Sequence, residues 1–167
     1  LKIVFCFISS ILAFLIFNLG VNKGSNYKIF MGDSGSTFLG LGIAWSLITF
    51  SQESQSIFSP ITALWIYSIP LMDTISVVIR RISDGKSPFS PDRKHLHHFF
   101  IHIGKSDRQT LIIIVLISAL MALIGILMDV FGIPERFMFL LFVSIAFIYF
   151  FLLRYLWGFH ASNIKTG

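Results

Sequence analysis

The chain alternates long apolar runs with short polar breaks. The first run covers about residues 3–19 and closes on Asn18 and Gly20. The second covers 35–50, directly after Asp33, and contains Gly35, Gly40 and Gly42. The third covers 58–79, is interrupted by Pro70 and carries Asp73. The fourth and fifth, 110–130 and 137–157, are joined by a tight turn through Gly132, Pro134 and Glu135. A helix that crosses the hydrocarbon core needs about 20 mostly apolar residues. The pattern therefore predicts an all-α, polytopic integral membrane protein: one membrane domain over residues 1–167 with about five transmembrane helices. The two long polar connections are 20–34 and 80–109.

Composition supports that class. Only 13% of residues are charged against 55% hydrophobic, about half the charged share of a soluble domain. The net charge of +5 is not a nucleic-acid signature, because the cations gather at helix ends, where they set topology and meet anionic head groups. Lys23 and Lys28 follow the first run. Arg80, Arg81, Lys86, Arg93, Lys94, Lys105 and Arg108 follow the third, and Arg154 and Lys165 lie at the end of the fifth. The positive-inside rule puts these segments, including the C-terminus, in the cytoplasm. Cys6 is the single cysteine, which excludes an internal disulfide. The chain opens on Leu1 with no signal-peptide pattern, and is expected to lack an N-terminal part.

Three polar features then fall on one membrane face. Gly32-Asp33-Ser34-Gly35-Ser36 stands where a loop becomes a helix. Unpaired N–H groups there favour phosphate, and a carboxylate there suits Mg²⁺; the competing reading is that Asp33 or Ser34 only caps the helix. Asp73 is an ionisable group inside an apolar span, read either as part of a site or as a structural ion, satisfied by water or Arg80. In the third connection, His95, His97 and His98 follow Arg93 and Lys94. Their spacing is unlike that of a usual zinc site. Dense N–H donors suit phosphate oxygens, while a plain basic loop touching anionic lipid is the alternative. His102 shares a helix face with His98 if this segment is helical.

In order along the chain, Phe30-Met31-Gly32-Asp33-Ser34-Gly35-Ser36, Pro70-Leu71-Met72-Asp73-Thr74, Arg80-Arg81 and Pro88-Phe89-Ser90-Pro91-Asp92-Arg93-Lys94-His95-Leu96-His97-His98 resemble the polyprenyl-phosphate N-acetylhexosamine-1-phosphate transferases. The resemblance is to the branch using UDP-N-acetylglucosamine rather than the muramoyl-pentapeptide branch. It implies transfer of a sugar-1-phosphate from a UDP-sugar to undecaprenyl phosphate with release of UMP, an early membrane step of cell-envelope polysaccharide synthesis. It implies a requirement for Mg²⁺, with Mn²⁺ as the alternative, at Asp33. It also implies catalytic roles for Asp33, His95, His97 and His98. Substrate contacts fall to Arg93, Lys94, Lys28, Gly32, Ser34, Gly35 and Asp73. The implied location is the bacterial inner membrane, with the site on the cytoplasmic face.

The resemblance also has a gap. The family's adjacent aspartate pair and its Asn/Asp-Gly-rich loop are not in this sequence. The expectation is a C-terminal half, a partial bundle of a larger enzyme, inactive by itself. The competing functional class is a non-enzymatic membrane module that binds anionic lipid or a partner through its basic histidine loop.

Overall fold

A computed structural model describes residues 2–18, 29–52, 56–90 and 95–164, with side chains described within 4–157. Lys28, Arg93 and Lys94, three of the expected substrate contacts, lie outside the described residues. Seven helices make up the described fold, in the order α1 (Lys2–Asn18), α2 (Gly32–Gln52), α3 (Pro60–Ile66), α4 (Ser68–Ser83), α5 (Leu96–His102), α6 (Asp107–Val130) and α7 (Glu135–Ile164). They group into two compact units, residues 1–56 and 57–167.

In the first unit, Phe7 of α1 packs edge-to-face on Phe38 of α2, ring centroids 6.2 Å apart. Its ring also lies over Gly42, where an added Cβ would stand 2.5 Å from the ring tip. The glycines of the second run thus permit close helix packing at Gly42. At Gly40 nothing lies within 4 Å of such an atom.

The second unit holds the buried core. Trp65 and Met138 are fully buried, with Ile61, Ile69, Met72, Leu96, Met121, Phe142 and Leu153 around them. Trp65 of α3 meets the ring of Phe142 of α7 edge-to-face at 5.8 Å, a favoured aromatic geometry. Most apolar residues of α6 and α7 remain exposed, as expected where lipid rather than water is the neighbour.

Spans four and five are continuous helices, and both are long and apolar enough to cross a membrane. Span three is broken: α3 and α4 meet at Tyr67 and bend by 78°. Pro70 explains where. It has no N–H for the carbonyl of Ile66, and its ring crowds that carbonyl, so α3 ends at Ile66 and a new helix starts at Ser68. Counting that pair as one span gives up to three crossing helices among the described residues; α1 is apolar but shorter. The expected five spans are thus met in part. The helix of the expected second span, α2, begins at Gly32, three residues earlier than expected, and is not among the helices apolar enough to cross a membrane.

Local chemistry sets the remaining ends. Ser106 and Gln109 form a reciprocal capping box that starts α6. At the ends of α4 and α5, Gly85 (φ 68°) and Gly104 (φ 83°) adopt left-handed backbone. Lys86 N–H donates to Arg81 O and Lys105 N–H to Phe100 O, which is the Schellman closure that glycine favours. The connection 80–109 is therefore not all loop, since it contains α5.

The far end of the unit is tied by Asp129. Its Oδ2 accepts from the Ser59 N–H at 2.8 Å and the Thr62 hydroxyl at 3.0 Å. A carboxylate from α6 thus caps α3, where the helix dipole favours negative charge. Asp129→Ala is expected to cost about 1–2 kcal/mol, read as a lower unfolding midpoint of the detergent-solubilised protein. An unchanged midpoint would remove this cap from the account of stability.

Candidate functional site

Asp73 stands in α4, near the end opposite Asp129, and its side chain is largely buried. Three groups converge on it. Oδ2 lies 2.9 Å from His95 Nδ1. Oδ1 accepts the Leu96 N–H at 3.0 Å and the Tyr149 hydroxyl at 3.1 Å. His95 is the N-cap residue of α5 but makes no side-chain cap of its own. Asp73 supplies that cap from another helix and so seats the start of α5. Of the two roles left open for Asp73, the structure gives it partners in the histidine segment and in α7.

The pairing also orients an imidazole. An ionised carboxylate only accepts, so His95 Nδ1 carries the proton, and in the neutral ring Nε2 is left with its lone pair. The side chain keeps 30% of its surface accessible. His95 and His97 stack with centroids 5.8 Å apart, and His97 and His98 lie at 4.1 Å. The three imidazoles thus form one cluster at the start of α5. Among the described residues, no three His, Cys, Asp or Glu side chains are grouped to hold a metal ion.

Local desolvation holds His97 below the usual histidine range, and the neighbouring His98 and His95 add to this while Asp73 opposes it. At neutral pH His97 is therefore mainly an uncharged donor and acceptor.

The far end of α5 is held separately. Phe99 meets Trp157 of α7 edge-to-face at 5.9 Å, and the His102 ring stacks on the same indole at 5.7 Å. His98 and His102 do share one helix, but His102 serves as a packing surface. Between α4 and α7, beside Asp73 and Tyr149 in sequence, runs an apolar groove of about 320 Å³ lined by Leu71, Ile75, Ile79, Phe147, Phe150 and Phe151 among others.

Asp33 belongs to the first unit. It lies in the first turn of α2 and is exposed. Gly32 before it has φ 68°, a backbone state that glycine adopts without strain. The local side-chain bonds here are those of Ser36 and Thr37 hydroxyls to the Asp33 carbonyl, both 2.9 Å. Ser34 is exposed in the same turn, and Gly35 is half-buried against Met31.

Comparison with known proteins gives this arrangement a context. Residues 1–51, which include Asp33, match the model of glycosyl transferase family 4. The chain is 43% identical over 153 residues to the undecaprenyl-phosphate alpha-N-acetylglucosaminyl 1-phosphate transferase of Haemophilus influenzae, covering 92% of this chain and 43% of that protein. It is 42% identical over 154 residues to the Escherichia coli protein of the same name, covering 92% of this chain and 42% of the relative. The chain is related to glycosyl transferase family 4. It spans about 43% of the length of these curated relatives. No solved structure matches it.

In this relative of the family 4 enzymes, the two aspartates differ in what they have left to give. Both Asp73 oxygens already accept from protein donors, which suits a positioning role. Asp33 is an exposed carboxylate at a helix start. It fits Mg²⁺, which takes few protein carboxylates and completes its shell with water and substrate phosphate. Tyr149 was not among the expected site residues. Its signal in the sequence is a phenol within the apolar run of α7, a feature shared with Tyr155, where such a group needs a partner.

Proposed function

We propose that the protein transfers N-acetylglucosamine-1-phosphate from its UDP-sugar to undecaprenyl phosphate and releases UMP. The reading is supported by similarity to transferases of that name. The observation that carries it is the Asp73–His95 pair, which presents an oriented imidazole at one end of apolar helices.

A lipid phosphate oxygen forms a bond to the sugar-bearing phosphorus. The bond from that phosphorus to the bridging oxygen breaks, and UMP leaves with the electron pair. Both reactants are anions, so catalysis depends on positioning and on donors aimed at developing charge. In this reading His95 Nε2 accepts a hydrogen bond or a proton at the reacting phosphates, with His97 and His98 beside it. Arg93, Lys94 and Lys28 supply cationic contacts, and Gly32, Ser34 and Gly35 let phosphate approach the start of α2. Asp33 would hold Mg²⁺, which would neutralise phosphate charge when bound. The apolar groove between α4 and α7 guides the isoprenoid tail. The site faces the cytoplasm across a bacterial inner membrane, consistent with the cations that follow the third and fifth runs.

The test uses membranes from cells making the full-length protein, with radiolabelled UDP-N-acetylglucosamine, undecaprenyl phosphate and Mg²⁺. Wild-type membranes are expected to release UMP and to label the lipid extract. Asp33→Asn is expected to lower release about 10²-fold or more, with partial recovery as Mg²⁺ is raised. No UMP from the wild type rejects the reaction, and an unchanged rate in Asp33→Asn rejects the metal assignment.

A further inference from the structure

The carboxylate of Asp73 has three partners, but two of them belong to the segment it holds. His95 and Leu96 form the start of α5, a helix of seven residues too short to be stable alone. Both sit on that short segment, which Leu96 also anchors by its burial in the core. The Tyr149 hydroxyl is different. It comes from α7, a helix of 30 residues, and its O–H donates to Oδ1 at 3.1 Å. The terminal torsion of an aspartate is broad, so an outside donor is what selects one rotation of the carboxyl group. Eight residues further along the same helix, Trp157 packs against Phe99 and His102 at the other end of α5. The far end of the histidine helix is thus packed directly on α7 through rings, and its start is linked to α7 only through Asp73 of α4.

We propose that Tyr149 is a positioning residue: by fixing the Asp73 carboxylate it sets the tautomer and direction of the His95 ring. This rests on the transfer reaction proposed above for its kinetic consequence, but not for its structural one. With Oδ1 held by Tyr149 and Leu96, Oδ2 is aimed at His95 Nδ1 and keeps the proton there. Without the phenol, the carboxyl group rotates against a single amide, and the ring samples the tautomer protonated at Nε2. That tautomer offers a donor where the site needs a lone pair. The role is positional, since Tyr149 acts through Asp73 and His95.

The test compares Tyr149→Phe with Ile148→Val, a conservative change at an exposed neighbouring position. The full-length protein is placed in lipid nanodiscs with ¹⁵N-labelled histidine, and His95 is assigned by the signal lost in His95→Gln. The wild type and Ile148→Val are expected to show His95 protonated at Nδ1. Tyr149→Phe is expected to show a mixture with the Nε2-protonated form. In the UMP-release assay, kcat of Tyr149→Phe is expected to fall about tenfold, the scale of one lost hydrogen bond to a charged group, with KM for the UDP-sugar within about twofold. An unchanged His95 signal overturns the proposal, as does a change confined to KM or an equal effect in Ile148→Val. A wild type that releases no UMP, while the His95 signal still shifts in Tyr149→Phe, retires the reaction and keeps the tether.

Discussion

Asp73→Asn is expected to reduce UMP release about 10²-fold or more, at unchanged protein level, the range in which positioned proton-transfer groups contribute. The side chains are the same size, so the effect is one of hydrogen-bond polarity. Asparagine offers one acceptor and one donor end. If its oxygen stays with the Leu96 N–H and the Tyr149 hydroxyl, its NH₂ faces His95 Nδ1. That nitrogen must then accept, and the ring proton moves to Nε2. If the amide turns over, its NH₂ faces the Leu96 N–H, a donor, and α5 loses its cap. Either orientation removes an interaction present with aspartate. A rate within a few-fold of wild type would exclude Asp73 from the working site. The prediction separates from that for Tyr149→Phe by size: removing the phenol loosens the carboxylate, whereas the amide reverses its polarity.

Much of this centre is legible in the sequence, and the missing parts are missing for physical reasons. Asp73 is visible because an ionisable group in an apolar run is costly. Its partners are not visible, because Leu96 and Tyr149 lie 23 and 76 residues away; only Arg80, about two helix turns along, presents itself to a local reading. The histidine segment reads as a basic loop because three imidazoles and flanking cations mask a seven-residue amphipathic turn. Leu96 and Phe99, both buried, are the apolar side of that turn. Pro70 is a visible interruption, yet the break falls at Tyr67 because proline disturbs the turn before it. Ser106-x-x-Gln109 is a legible helix start, and the structure uses it as such.

The placement of Asp129 shows the opposite case. Read locally it is a surface acid on the side away from the site. In the fold it is the cap of α3, which bears Trp65 and leads directly into α4 and Asp73. Asp73 and Asp129 therefore do similar work in the second unit. Each accepts the N–H at the start of a seven-residue helix that no residue of its own caps. Short helices in an apolar setting leave costly unpaired donors, and a carboxylate reaching across from a neighbouring helix meets that need. This common device makes the seat of α3 relevant to the geometry at Asp73.

That seat leads to the second large effect. A Cβ built on Gly125 of α6 falls 2.2 Å from Trp65 Cβ and 2.7 Å from its Cγ. The obstruction is at the root of the indole, so no rotation of Trp65 relieves it, and the ring beyond is fully buried against Phe142. Gly125→Ala must therefore push α3 and α6 apart. Overpacking of this kind costs about 1–3 kcal/mol, more than the ~1 kcal/mol of helix propensity that alanine gains over glycine. The expected result is a lower unfolding midpoint in detergent for Gly125→Ala and no accumulation in membranes for Gly125→Leu. Gly40→Ala in α2, with nothing within 4 Å of its new methyl, is expected to hold or raise the midpoint, because only the propensity term remains. If Gly125→Ala melts with or above Gly40→Ala, the close approach of α3 to α6 does not constrain the fold. If it melts below, the loss should extend to UMP release at temperatures where the protein is still folded, because α3 runs straight into the helix that carries Asp73.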